Sequence, residues 1–254
     1  MKTLKRNLLL AILLTGGVFA FSECTKETEI DGVQTQSDTK SLNANGQTGS
    51  NSTDATTTQS TAAGYLSDCI ASFVIEPLSV TETEALVTMR EEELLAHDVY
   101  VQLYSLNKMP IFDNISKSET QHSEAVKNLL IKYNIADPAD NHIAGTFVNA
   151  NLQALYTSLV AQGITSLNSA LSVGATIEDL DINDLRNHID RDVDNEDILF
   201  VFGNLEKGSR NHLRSFYKLL TARGGTYNPQ FISVEYFNQI ISSPHETGPA
   251  GCSK

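Results

Sequence analysis

Glu119 and His122 stand three residues apart in the stretch Ser118-Glu119-Thr120-Gln121-His122, within an otherwise apolar helical pattern. At about 100° per residue, positions i and i+3 share one face of a helix. With Glu119 as origin, Phe112, Ile115, Val126, Leu130 and Tyr133 fall within roughly 40° of it, and His122 lies about 60° away on the same side. The pair therefore points into a core. An ionised carboxylate buried alone is costly, so a glutamate on this face must be protonated, paired with a cation or bound to a metal.

Three other segments repeat the pattern. Glu93 sits on an apolar stripe with Leu86, Met89, Ala96, Tyr100 and Tyr104. Glu178 shares one with Leu167, Leu171, Gly174, Ile182, Leu185 and Ile189, and Asp181 lies roughly 60° to one side. His212 belongs to the stripe of Ile198, Phe202, Leu205, Ser209, Leu213, Phe216 and Leu220. Taken singly, a core histidine is usually hydrogen-bonded and an inward glutamate often paired with arginine. Four helices doing this together need a shared source of positive charge, and no Arg or Lys is read on the inward stripes. One or two ions of iron or manganese, with zinc as a further option, supply it. The expected metal ligands are Glu93, Glu119, His122, Glu178, Asp181 and His212. Glu91, Glu92 and His97 are expected on the solvent side. His142, His188 and His245 receive no role, and no catalytic residue is assigned.

The spacing predicts a helix from about Glu82 to Leu106, capped by Thr81 or Thr83, and a second from Asp113 to Tyr133. A loop over Asn134 to Asn149 leads into a short helix, Leu152 to Val160, ending at Gly163. Long helices follow from Thr165 to Ile189 and from Glu196 to Thr221, and a docking helix from Val234 to Ile241. No strand alternation is convincing. The expected class is all-α: a four-helix bundle whose long crossover between its second and third long helices contains a short extra helix.

The composition limits the setting. The 254 residues carry a net charge of -13, and the first twenty contain Lys2, Lys5 and Arg6 but no acid, so the remainder has 15 basic against 31 acidic residues, or -16. Such a surface disfavours nucleic acid. The basic start, the apolar run Leu8 to Leu14 and the small residues after it read as a signal peptide over residues 1–23. Cleavage after Ala20 competes with cleavage before Cys24 with lipidation of that cysteine, for which Glu23 is a poor neighbour. Residues 24–64 are polar and read as a tether, 65–245 as the folded domain and 246–254 as a tail. Three cysteines are an odd number: a Cys69 to Cys252 disulfide would leave Cys24 for lipid. The expected location is extracytoplasmic, as a lipoprotein anchored in a bacterial cell envelope or otherwise secreted or periplasmic. A homodimer is left open.

A glutamate from each of two helices plus Glu-x-x-His from the other two is the di-metal arrangement of ferritin-like bundles. In local detail the chain resembles rubrerythrin: Glu93-x-x-Ala96-x-x-x-Tyr100, Glu119-x-x-His122 and Gly174-x-x-x-Glu178-x-x-Asp181. The segments Glu91 to Tyr100 and Gly208 to Phe216 resemble more closely still an uncharacterised ferritin-like family of archaea and bacteria, a domain of unknown function, over about Glu82 to Ile241. The resemblance implies a ferritin-like fold, metal binding and, for an enzyme, non-haem di-metal oxidoreductase or peroxide-consuming chemistry. Ser209 departs from the pattern, standing where the fourth helix of such a site would carry its glutamate, and this puts the metal position at His212 in doubt. No Cys-x-x-Cys is present for a rubredoxin module. The alternative is a metal-free helical bundle acting as a binding or scaffold module.

Overall fold

Ser79 starts the first long helix. Its hydroxyl accepts from the Glu82 amide while the Glu82 carboxylate accepts from the Ser79 amide, a reciprocal cap. In the computed structural model, which describes residues 67–248, a short helical segment α1 (67–72) precedes α2, Val80–Asn107. Then come α3, Pro110–Lys132; α4, Ala150–Gly163; α5, Leu167–Arg191; α6, Glu196–Ala222; and α7, Val234–Ser242. The expected leader, the tether, Cys24 and Cys252 lie outside the described residues. Cys69 is disulfide-bonded.

The helix boundaries correct the sequence reading in two places. The cap of α2 is Ser79 rather than Thr81 or Thr83, because only Ser79 forms the reciprocal pair with Glu82. Pro110, and not Asp113, opens α3, since a first-turn residue needs no amide donor. The turn between them uses Lys108 in the left-handed region (φ 52°). At the other end, Gly224 (φ 76°) closes α6, a conformation that favours glycine.

α2 pairs with α3, and α5 with α6, as antiparallel hairpins. The two hairpins meet along α2 with α5 and α3 with α6, and α4 fills the long crossover against α2 and α5. Among the described residues there is no strand, one isolated bridge between Ile143 and Thr146 aside. Nor is any helix long and apolar enough to cross a membrane.

Two apolar layers fill the bundle. One holds Leu86, Met89, Val126, Leu129, Leu130, Leu185, Ile198, Phe202 and Leu205. The other is aromatic: Tyr100 and Phe112 pack on Phe216 with ring centroids 5.3 and 5.6 Å away. Phe216 reaches this place because residue 174 is glycine, where an added Cβ would lie 2.5 Å from its ring. Between the layers sit the polar residues of the inward stripes.

Candidate metal centre

Glu93 of α2, Glu119 of α3 and Glu178 of α5 are all completely buried. Their oxygens and two imidazoles form two groups of three donors, Glu93-Glu119-His122 and Glu119-Glu178-His212, within each of which the donor atoms lie within 4.8 Å of one another. Glu119 is common to both. His122 Nδ1 is 2.6 Å from Glu119 Oε2 and 3.2 Å from Glu93 Oε2, while His212 Nδ1 is 2.8 Å from Glu119 Oε1 and 3.4 Å from Glu178 Oε2. The two rings stack with centroids 5.5 Å apart and planes inclined by 27°.

These contacts are close, yet of the four only His122 to Glu93 has the direction of a hydrogen bond. Glu93 Oε1, both oxygens of Glu119, Glu178 Oε2 and His212 Nδ1 are buried without a hydrogen-bond partner. The donors therefore face a common space more than they face one another. Two ligands about 2.1 Å from a shared ion and at right angles to each other stand about 3 Å apart. The observed 2.6 to 3.4 Å fits that arrangement.

Other buried acids of the same chain provide an internal control. Glu82 accepts from the amides of Ser79, Asp194 and Asn195. Asp98 accepts from His97, His142 and the Gly145 amide. Asp179 takes the Tyr227 hydroxyl and the amides of Gln230, Phe231 and Ile232. Asp197 is met by Lys132 and the Tyr133 hydroxyl. Burying a carboxylate normally demands such partners; at the centre Glu119 has none, and Glu93 and Glu178 each leave one oxygen without one.

The electrostatics agree. Burial pushes Glu93 up to about 7, against the pull of His122. Burial likewise raises Glu178, opposed by His212. At Glu119 burial works upward too, but His212 and His122 outweigh it and hold the carboxyl far below its usual range. Burial lowers His212, yet Glu119 and Glu178 override it and take the ring up to about 10. Protons on the imidazoles and carboxyls thus stand where cations would otherwise be needed.

The structure brings together five of the six residues expected from the sequence. Asp181 is buried beside them, next to Glu93, Glu178 and Glu119 in its electrostatics, but belongs to neither group of three. Ser209 is completely buried, its hydroxyl turned back to the Leu205 carbonyl. His212 nonetheless has two carboxylates beside it, as many as His122, because Glu119 is shared.

Three sequence expectations need correction. The inward faces do carry an arginine: Arg90 is buried, but its guanidinium is committed to Asp137 at 3.1 Å and to Ser123, leaving the centre without a cation. Glu92 is half-buried, its Oε2 closed off from solvent without a partner. His142 and His97 are the two imidazoles that hold Asp98, tying the loop before α4 to α2.

Two residues that the sequence reading names without a role support the site. Tyr100 donates to Glu178 Oε1 at 2.5 Å, leaving Oε2 to face the centre. Gly208 packs under His122, where an added Cβ would lie 2.5 Å from Nε2. A glycine inside an otherwise regular helix one turn before His212 was the available signal, since it costs about 1 kcal/mol relative to alanine and so marks a packing need.

Similarity to other proteins covers this same region. A hypothetical protein of Methanocaldococcus jannaschii, MJ0754, is 52% identical over 179 residues, which is 70% of this chain and 96% of that protein. The crystal structure of MJ0754 matches with a TM-score of 0.67 at 52% identity, covering 69% of this chain and 99% of the other. Residues 82–244, which contain every residue of both ligand groups, match the family described as an uncharacterized protein domain, DUF2202, and the chain belongs to that family.

Proposed function

We propose that this is a ferritin-like protein that binds two transition-metal ions, iron or manganese, between Glu93, His122, Glu119, Glu178 and His212. The observation that carries the reading is the set of buried, unpartnered ligand atoms at the centre, in a chain where Glu82, Asp98, Asp179 and Asp197 are matched. Glu119, with one oxygen toward each histidine, would serve both ions. His122 and His212 each present Nδ1. Tyr100 orients Glu178 through its hydroxyl. The flanking layers of Phe112, Phe216, Leu86 and Leu130 exclude water. Ionised Glu93, Glu119, Glu178 and Asp181 together balance two divalent cations, so Asp181 offsets the charge that Ser209 does not bring.

When bound, such ions supply Lewis acidity and, for iron, one-electron exchange. Redox chemistry on a small oxidant such as peroxide is the reaction class that suits a buried carboxylate and imidazole centre. The leader pattern and the disulfide at Cys69 support an extracytoplasmic, lipid-anchored protein.

The test is elemental analysis of protein purified without chelator and then reloaded with ferrous iron or manganese. Two ions per chain, both lost in Glu119→Ala, is the expected result. No retained metal would overturn the reading and leave a metal-free bundle that serves as a binding module.

A further inference from the structure

Between α2 and the loop that leads from α3 into α4 lies a cavity of about 180 Å3. Leu94, Phe147 and Val148 give it apolar walls, and Glu91, Asp140 and His142 stand on the same lining. None of these six belongs to either ligand group of the centre. An engineered apolar cavity of about 150 Å3 holds one benzene ring, so a single ring or a chain of a few carbons is the size this space takes.

The wall that the loop forms is built in advance. Asp98, 2% exposed, accepts from the Gly145 amide at 2.6 Å and from His142 Nε2 at 2.8 Å. Arg90 donates to Asp137 through Nε and Nη2, each at 3.1 Å, and Asp137 Oδ1 in turn accepts from the Ala139 amide at 2.9 Å. Gln153 of α4 accepts from the Phe147 amide at 2.9 Å and donates to the Gly145 carbonyl at 3.2 Å. A pocket whose walls are already placed loses less freedom when a ligand enters.

The acids and the imidazole on this lining offer acceptors. Because His142 donates to the Asp98 carboxylate through Nε2, the neutral ring keeps Nδ1 as an acceptor. Glu91, half-buried, has no hydrogen bond and no ion pair among the described residues. Asp140 adds a second carboxylate on the exposed side, and no lysine or arginine lines the cavity. Among the described residues only the two central groups bring three donor atoms within 4.8 Å, so these acceptors do not close on a bare metal ion. A larger cation with N–H donors and a carbon body matches both halves of the lining. We propose that this cavity binds a small organic ammonium ion, its nitrogen at Glu91 and Asp140 and its ring or short chain against Leu94, Phe147 and Val148. Ile143 and Val148, 70% and 95% exposed, give the opening apolar edges that the carbon body can reach. The site does not depend on the metal reading.

The experiment titrates the full chain with benzylamine, an ammonium ion at neutral pH, and follows the backbone amides by NMR. Shifts confined to residues 91–94 and 138–148, with a dissociation constant of about 1 mM or tighter, are expected. Benzyl alcohol, of the same shape without the charge, should bind about tenfold more weakly. Glu91→Gln should weaken benzylamine about tenfold and leave benzyl alcohol unchanged, a split that misfolding would not produce. Glu235→Gln removes an exposed acid on α7 and should change neither, which separates the site from the general attraction of a chain of net charge -13. Equal affinity for the two probes, equal effects of the two variants, or no binding of either probe up to about 20 mM would overturn the proposal. Tighter binding of Nα-acetyllysine amide than of benzylamine would also overturn it, in favour of a lysine side chain presented by another protein.

Discussion

Replacing Gly208 by alanine tests whether the position of the His122 ring, and not merely its presence, makes the centre. The added Cβ would lie 2.5 Å from Nε2 and 2.6 Å from Cε1, against ordinary contact from 3.4 Å, so the ring must retreat by about 0.9 Å. Metal to ligand distances tolerate about 0.2 Å. Nδ1 then leaves its place beside Glu93 and Glu119, and the ion on that side should lose roughly 10- to 100-fold in affinity, as when a supporting contact to a ligand is broken. Stability should change less: overpacking costs about 1 to 3 kcal/mol, while exchanging a helical glycine for alanine returns up to about 1 kcal/mol. Gly203 on the same helix is the control, with nothing within 4 Å of its added Cβ. Gly203→Ala should raise the melting temperature by about 2 to 4 °C and leave metal binding untouched. Titration calorimetry with Mn2+ reads both variants. Two ions of wild-type affinity in Gly208→Ala would refute the assignment of His122 as a ligand.

Glu119→Gln should cost both ions, whereas Glu93→Gln should cost only the ion at His122; equal losses in the two variants, read by metal analysis, would contradict a bridging role for Glu119. Tyr100→Phe leaves Glu178 Oε1 without its donor and should destabilise the chain by about 1 to 3 kcal/mol, measured by thermal unfolding, while weakening the ion at His212. Asp98 sets a pH dependence. Burial works to raise its carboxyl, but His97, the Gly145 amide and His142 hold it below the ordinary value. A group depressed on folding stabilises above its unfolded value, about 3.9, and loses that contribution as pH falls through the folded one. The gap in melting temperature between wild type and Asp98→Asn should therefore narrow on acidification from pH 6 to 3, and a constant gap would refute it.

Periodicity alone was enough to find the long helices and five of the residues that converge. Glu93, Glu119, Glu178 and His212 each fall on an apolar stripe, and a stripe of one helix must meet another, so their burial follows from the pattern. His122 follows from its three-residue spacing to Glu119. What periodicity cannot express is which partner a buried charge meets. Arg90 looked absent from the interior because it lies about 60° round the helix from Glu93, at the margin of the stripe; its burial depends on pairing with Asp137, far along the chain. Glu92 looked solvated because one residue's rotation carries it off the centre of the stripe, yet one of its carboxylate oxygens is closed off from solvent in the folded bundle. The sharing of Glu119 between two histidines, the yielding of Gly208 to a ring on α3 and the hydroxyl of Tyr100 on Glu178 are all contacts between helices. A helix determines the direction of each of its side chains; what stands opposite is decided when the hairpins pack, by register and crossing, which no single helix contains.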